Sequence, residues 1–216
     1  MYRQIESYIV DNFGEKGNFR FVIAPDDTPY ACTCATCTAL GNTEKNATPA
    51  VTELILRLSQ RFPKHTFFTT SYLTTQQVTD KQLPPNVGVI VSAIDYPLRR
   101  TDGKDEQDKK FAEQLDNWKK VTNNIYIWDY INNFDDYLTP MPILKIARQR
   151  LQFFKQHGAS GIFFNGSGYS YSSFDEMRTF VLSALLINPE LSVDNLTASF
   201  FNQEYPAAKK WLYDYY

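Results

Sequence analysis

Carboxylates beside aromatic rings are the residues of this sequence best equipped for chemistry. Asp26 and Asp27 follow one short apolar run, and Asp129 stands between Trp128 and Tyr130 at the end of another. A pair of carboxyl groups about a glycosidic bond can serve as acid and as base or nucleophile. Rings with an apolar body and a polar edge can stack on sugar faces. On this reading Asp27 and Asp129 are the catalytic candidates, and Asp26, Tyr72, Tyr96, Trp128, Tyr130 and Asn165 the substrate-binding candidates. The competing role for an Asp after a strand is to cap the turn that follows. Strand alternation adds a constraint, because it turns Trp128 and Tyr130 to one side and Asp129 to the other.

A second group is Cys32, Cys34 and Cys37, a C-x-C-x-x-C with no other cysteine in the chain. Three thiolates hold a structural zinc only if a fourth ligand arrives, and His65 and His157 are the only histidines. In an oxidising compartment, one disulfide and one free thiol is the alternative. Gly166-Ser167-Gly168 matches no complete phosphate loop and reads as a turn.

The elements that must position these residues are legible from periodicity. Apolar β-prone runs at 19–24, 66–72, 87–93, 125–130 and 161–165 are short, as buried parallel strands are. Between the first two, Val51, Leu54, Ile55, Leu58 and Phe62 form a helical stripe, with Thr48 expected as N-cap and Pro49 at the first helical position. Phe111, Leu115, Trp118 and Val121 form a second stripe, and Leu144, Ala147, Leu151 and Phe154 a third that closes at Gly158. Ser173 and Glu176 have capping-box spacing before Met177, Val181 and Leu185, and Asn188-Pro189 stops that helix. Helical segments at 193–203 and 207–216 follow, and 99–110 reads as a charged loop.

Alternating strands and helices predict an α/β fold with a parallel sheet. Five strands cannot close an eight-stranded barrel, so the expectation is the C-terminal portion of a (β/α)8 TIM-type barrel with extra C-terminal helices. Residues 1–216 are read as a single domain, a fragment of a larger barrel protein, with 190–216 as a helical extension. The strand-end residues named above then lie on the face where such folds place their sites.

Composition narrows the partners. Twenty-two Lys+Arg against 24 Asp+Glu give a net charge of -2 with no basic patch, which argues against nucleic acid. No run approaches the roughly 18 apolar residues of a membrane span. The amino terminus lacks a signal-peptide layout. Rings make up 15% of the residues, enough to furnish a sugar-binding surface beyond a core.

The order of motifs resembles the bacterial domain-of-unknown-function 4838 family. The resemblance rests on Ile127-Trp128-Asp129-Tyr130, Asn133-Phe134, Pro140-Met141-Pro142 and His157-Gly158-Ala159-Ser160-Gly161-Ile162-Phe163. It rests also on the upstream order: an Asp pair, C-x-C-x-x-C, a helix, a Tyr-bearing strand and Pro84-Pro85-Asn86-Val87. It implies a glycoside-hydrolase-like barrel related to family-20 hexosaminidases and α-glucuronidases, in a secreted or periplasmic bacterial parent. Carbohydrate is then the partner, along with the missing amino-terminal barrel half or neighbouring domains. Asp27, the cysteines, Tyr72, Trp128, Asp129 and Tyr130 fit the family pattern. Two positions depart: Phe164 stands where relatives often carry Glu, and Tyr96 where His commonly precedes Pro. The missing Glu removes an obvious catalytic acid, so a non-catalytic carbohydrate-binding or structural module is the alternative to a hydrolase.

Overall fold

The five apolar runs form parallel strands in the computed structural model of the protein, which describes residues 1–98, 105–166 and 172–216. They are β1 (Arg20–Val22), β2 (Thr66–Ser71), β3 (Val87–Ser92), β4 (Ile125–Tyr130) and β5 (Gly161–Asn165), arranged in the order β1-β2-β3-β4-β5. Phe68 lies beside Gly88, and Ile90 beside Tyr126. At β4 and β5, Ser160 N–H donates to the Ile125 carbonyl and Ile131 N–H to the Asn165 carbonyl, so both chains run the same way. Sequential order means every right-handed crossover steps in one direction and puts its helix on one face. That is barrel winding; a doubly wound sheet reverses direction partway. The fold is therefore α/β, a five-strand portion of a TIM-type barrel with added C-terminal helices.

The described helices are α1 (Tyr2–Phe13), α2 (Ala35–Ala39), α3 (Thr48–Arg61), α4 (Glu106–Lys119), α5 (Leu144–Gln156), α6 (Asp175–Ile187), α7 (Val193–Glu204) and α8 (Lys209–Tyr215). None is long and apolar enough to cross a membrane. Gly158 takes the expected left-handed conformation after α5, at φ 89°. Two caps differ from expectation. Thr48 is the first helical residue of α3, because Asn46 Oδ1 accepts its N–H while its own hydroxyl donates to the Gln77 carbonyl. At α6 the Ser173–Glu176 capping box does not form: the cap is Phe174 in the left-handed region, φ 54°, and the Ser172 hydroxyl bonds the Asp175 carboxylate. Helix α1 was not anticipated, although Ile5, Ile9 and Phe13 repeat at one-turn spacing. Of the charged 99–110 loop, 99–104 lie outside the described residues; the rest opens α4, with Asp105 Oδ1 accepting from the N–H groups of Gln107 and Asp108. Ser167 and Gly168 of the glycine turn also lie outside them.

The chain divides into two compact units, each discontinuous in sequence. The first comprises Met1–Ala93, Ala112–Trp128 and Gly158–Ile162. Its core joins Ile9 of α1, Ile55, Leu58 and Phe62 around α3, Phe67 of β2 and Val87 of β3. Trp118 of α4 is buried and donates its indole N–H to the Ser71 hydroxyl at 3.0 Å. The second unit comprises Ile94–Phe111, Asp129–His157 and Phe163–Tyr216. There Tyr96, Phe111, Phe153 and Phe154 pack as a ring cluster, while Met177, Val181, Leu185 and Phe201 bury the inner stripe of α6 and α7.

In the first unit, Gly88 is fixed by close approach. A Cβ there would lie 2.5 Å from the Asn124 carbonyl oxygen and 2.6 Å from the Phe68 ring, which packs edge-on against Tyr126. Backbone cannot give way as a flexible side chain can. Gly88→Ala should therefore cost about 2 kcal/mol through overpacking, read as a lower midpoint in urea with little change in slope.

Candidate functional site

The strand pleat sorts the candidate residues before any loop does. Along β4, Ile125, Ile127 and Asp129 are buried, and Tyr126, Trp128 and Tyr130 are half-buried. The buried set turns toward the helices and the half-buried aromatic set to the other face, as alternation requires. In the first unit, register places Phe68 and Thr70 of β2, Ile90 and Ser92 of β3, and Tyr126 and Trp128 of β4 on that helix-free face. Tyr72, extended at φ -156° just beyond β2, keeps the same phase and is half-buried. The result is a partly open surface rich in rings, interrupted by small and hydroxylated side chains.

Asp26 and Asp27 are exposed in the loop after β1, where the Asp26 carbonyl accepts the Thr28 N–H. The cysteine cluster lies farther along this loop and into α2. The three sulfurs lie within 4.8 Å of one another, and no His, Asp or Glu among the described residues joins them. Asn42, 6% exposed, holds the segment: its amide donates to the Cys32 carbonyl and its Oδ1 accepts the Ala50 N–H of α3. The Cys37 backbone N–H and the neighbouring thiols stabilise the Cys34 thiolate and hold its pKa below the ordinary thiol value. Desolvation and the neighbouring sulfurs push Cys37 up to about 11. Such a triad can hold a metal with one coordination position left for an outside ligand. His65 is no such ligand: its ring is fully buried, Nδ1 accepts the Phe19 N–H at 3.3 Å and Nε2 meets the Gly14 carbonyl at 2.8 Å. Those partners fix the Nε2-protonated tautomer.

Tyr96, Asp129, Tyr130 and Asn165 belong to the second unit. Asp129 is 0% exposed and Arg150 of α5 is 1% exposed. Arg150 Nε donates to Oδ2 at 2.8 Å, its Nη2 donates to Oδ1, and the Tyr130 N–H adds a third bond to Oδ1 at 2.8 Å. The remaining Arg150 nitrogen donates to the Pro97 carbonyl at 2.8 Å, and the guanidinium lies 4.4 Å from the Tyr96 ring centroid. Tyr96 is itself a core ring: it is buried, stacked 4.6 Å from Phe111, and donates its phenol to Asp108. Its neighbours leave it no open face for a ligand.

Beyond β4, Tyr130, Phe134 and Tyr137 form an edge-to-face chain at 5.9 and 5.8 Å, with Phe134 exposed. At the end of β5, Asn165 lines a pocket of about 350 Å³ together with Ile131, Phe164, Asp175 and Arg178 of α6. Arg178, 4% exposed, donates to Asn132 Oδ1 at 2.6 Å and to the Ile131 carbonyl. Sequence reasoning passed over Arg150, Arg178 and Tyr137, and named Phe134 only within the string Asn133-Phe134. The two arginines did carry a signal, since each interrupts the apolar stripe of its helix.

The sequence matches a family described as Domain of unknown function (DUF4838) over residues 2–216. No curated protein matches it.

With both carboxylate oxygens committed, Asp129→Asn strands a buried guanidinium without counter-charge. It should cost about 3 kcal/mol or more in chemical denaturation. Combining Asp129→Leu with Arg150→Met should recover most of that loss, because it removes both charges together.

Proposed function

The chain belongs to the DUF4838 family, and from that premise we propose that it is a carbohydrate-binding domain on a glycoside-hydrolase-like scaffold, acting within a secreted or periplasmic polysaccharide-handling protein. One observation carries this reading: in the first unit, Tyr72, Tyr126 and Trp128 share the helix-free face of the sheet, half-buried, with Thr70 and Ser92 between them. Rings held rigidly by strands offer stacking area at little entropic cost, and the adjacent hydroxyls suit sugar hydroxyls. In the second unit, Tyr130, Phe134 and Tyr137 offer a like surface.

Binding is favoured over cleavage for a physical reason. A hydrolase of the expected design uses Asp27 and Asp129 as its acid and its base or nucleophile. Asp129 would first have to leave Arg150 and a site with no water access, which costs several kcal/mol. Phe164 offers no carboxyl in compensation.

Affinity electrophoresis through polysaccharide-containing gels tests the reading. Wild-type protein should be retarded by at least one polysaccharide. Trp128→Ala should lose about 1–3 kcal/mol of binding by analogy with other ring-stacking sites, enough to abolish visible retardation. Unchanged migration of wild-type protein across neutral and acidic polysaccharides would refute it, as would full retention by a folded Trp128→Ala variant.

We assign the cysteine triad, on the same terms, as a zinc site that pins the β1–α3 loop. Soft thiolates close together select such an ion. Because Cys37 is held near 11 and is protonated at neutral pH, metal must displace its proton. Zinc affinity should therefore rise from pH 7 to pH 9, and Cys34→Ser should lose it. Protein reduced anaerobically and then loaded should hold about one zinc per chain by elemental analysis; no bound zinc under those conditions would remove the assignment.

A further inference from the structure

The second unit buries two arginines in different ways. Arg150 has its counter-charge within the chain, both oxygens of Asp129. Arg178 bonds no carboxylate among the described residues: its bonds are to the neutral Asn132 amide oxygen and the Ile131 carbonyl, its Nε has no partner there, and Asp175, one turn earlier on α6, is near enough only to act through its charge. Asn132 Nδ2, on the amide that Arg178 engages, is likewise buried and unpartnered. Burial destabilises the charged form of Arg178, lowering its pKa from the ordinary arginine value. A buried cation that bonds no anion is costly, and so is each orphaned donor. Arg178 lines a pocket, where a bound group can supply the acceptor that its Nε lacks among the described residues.

We infer that this pocket, at the end of β5, binds the carboxylate of an acidic sugar, with Arg178 as the anion-recognising residue. The inference rests on the carbohydrate reading above for the sugar ring, and on Arg178 alone for the charge. Charge balance selects the anion. Arg178 and Asp175 are the charged residues of the pocket lining among the described residues, and no hydrogen bond joins them. A single negative charge meets Arg178; a doubly charged phosphate would add a second that only Asp175 faces. Asp175, whose Oδ1 takes the Ser172 hydroxyl, keeps Oδ2 for sugar hydroxyls, and Asn165 is a second polar group on the wall. Ile131, Phe164 and Leu182 supply the apolar wall that a pyranose face requires. The volume, about 350 Å³, accommodates one sugar unit rather than a chain.

The left-handed Phe174 that opens α6 fits this assignment. Its ring is pinned by Phe201, Tyr215 and Tyr216, which hold the first turn of α6, and so Asp175 and Arg178, in place. Strain maintained by surrounding packing at the edge of a pocket is typical of binding sites.

Thermal-shift titration of the full chain with D-galacturonate, D-galactose and acetate at matched ionic strength tests the inference. Galacturonate should raise the melting temperature in a saturable manner, and galactose and acetate should do so only at about tenfold higher concentration or more. Arg178→Gln, with folding confirmed by circular dichroism, should lose the galacturonate shift, and Arg178→Lys should keep part of it. Equal response of wild-type protein to galacturonate and galactose overturns the inference without any variant. A full shift in Arg178→Gln also overturns it, and acetate acting as well as galacturonate overturns the sugar assignment. The two readings separate cleanly. Retardation in neutral polysaccharide without a galacturonate preference sinks only the acidic-sugar site. An Arg178-dependent galacturonate shift without retardation in any polysaccharide sinks the polysaccharide-binding role and leaves this site standing.

Discussion

The ion pair of Asp129 and Arg150 is the constraint around which the second unit is organised. An aspartate with no solvent access needs a partner that fills both its oxygens, and a guanidinium does so with two parallel bonds. That geometry anchors α5 to the last turn of β4. The remaining Arg150 nitrogen reaches the Pro97 carbonyl, so the segment after β3 is held by the same group. Tyr96 lies under the guanidinium and stacks on Phe111, extending the anchor to the start of α4. A single compensated charge thus ties four segments together at the strand ends, and its directional bonds specify one arrangement where apolar packing alone would tolerate several.

The same pair decides what the neighbouring strand positions can do. Side chains alternate along β4, so committing Asp129 to the helix side commits Trp128 and Tyr130 to the opposite side. The carboxylate becomes scaffold and the rings become surface. This division separates the two roles that adjacent residues in Trp128-Asp129-Tyr130 first suggested for one site. It leaves the rings of β4 on one face of the strand and its one carboxylate on the other.

Arg178 shows the complementary case. It occupies a comparable place on α6, one element after β5, yet its partners are neutral. Burying a cation that bonds only neutral groups costs stability, and functional sites are the usual place for such a departure from good packing chemistry. Two arginines on core stripes of successive helices therefore carry opposite meanings, which depend entirely on what lies opposite each.

Much of the framework is local and was legible in the chain. The strands at 125–130 and 161–165, the stripes of α3 to α6, the left-handed Gly158 and the opposed phases of Trp128 and Asp129 follow from periods of 2 and 3.6 and from glycine's freedom at positive φ. The family order was legible too, because it is carried by short strings. Caps were less so: Thr48 and Ser173 have the right types, but Asn46 accepts the Thr48 N–H, the Gln77 carbonyl takes the Thr48 hydroxyl and Phe174 occupies the cap position of α6, an outcome only folded geometry settles. What the tertiary structure alone decided is the partner of each buried charge. Asp129 and Arg150 are 21 residues apart, and Arg178 and Asn132 are 46 apart. A charge on an apolar stripe signals in sequence that a partner must exist; whether that partner is a carboxylate of the chain or a neutral amide depends on contacts that no short-range pattern encodes.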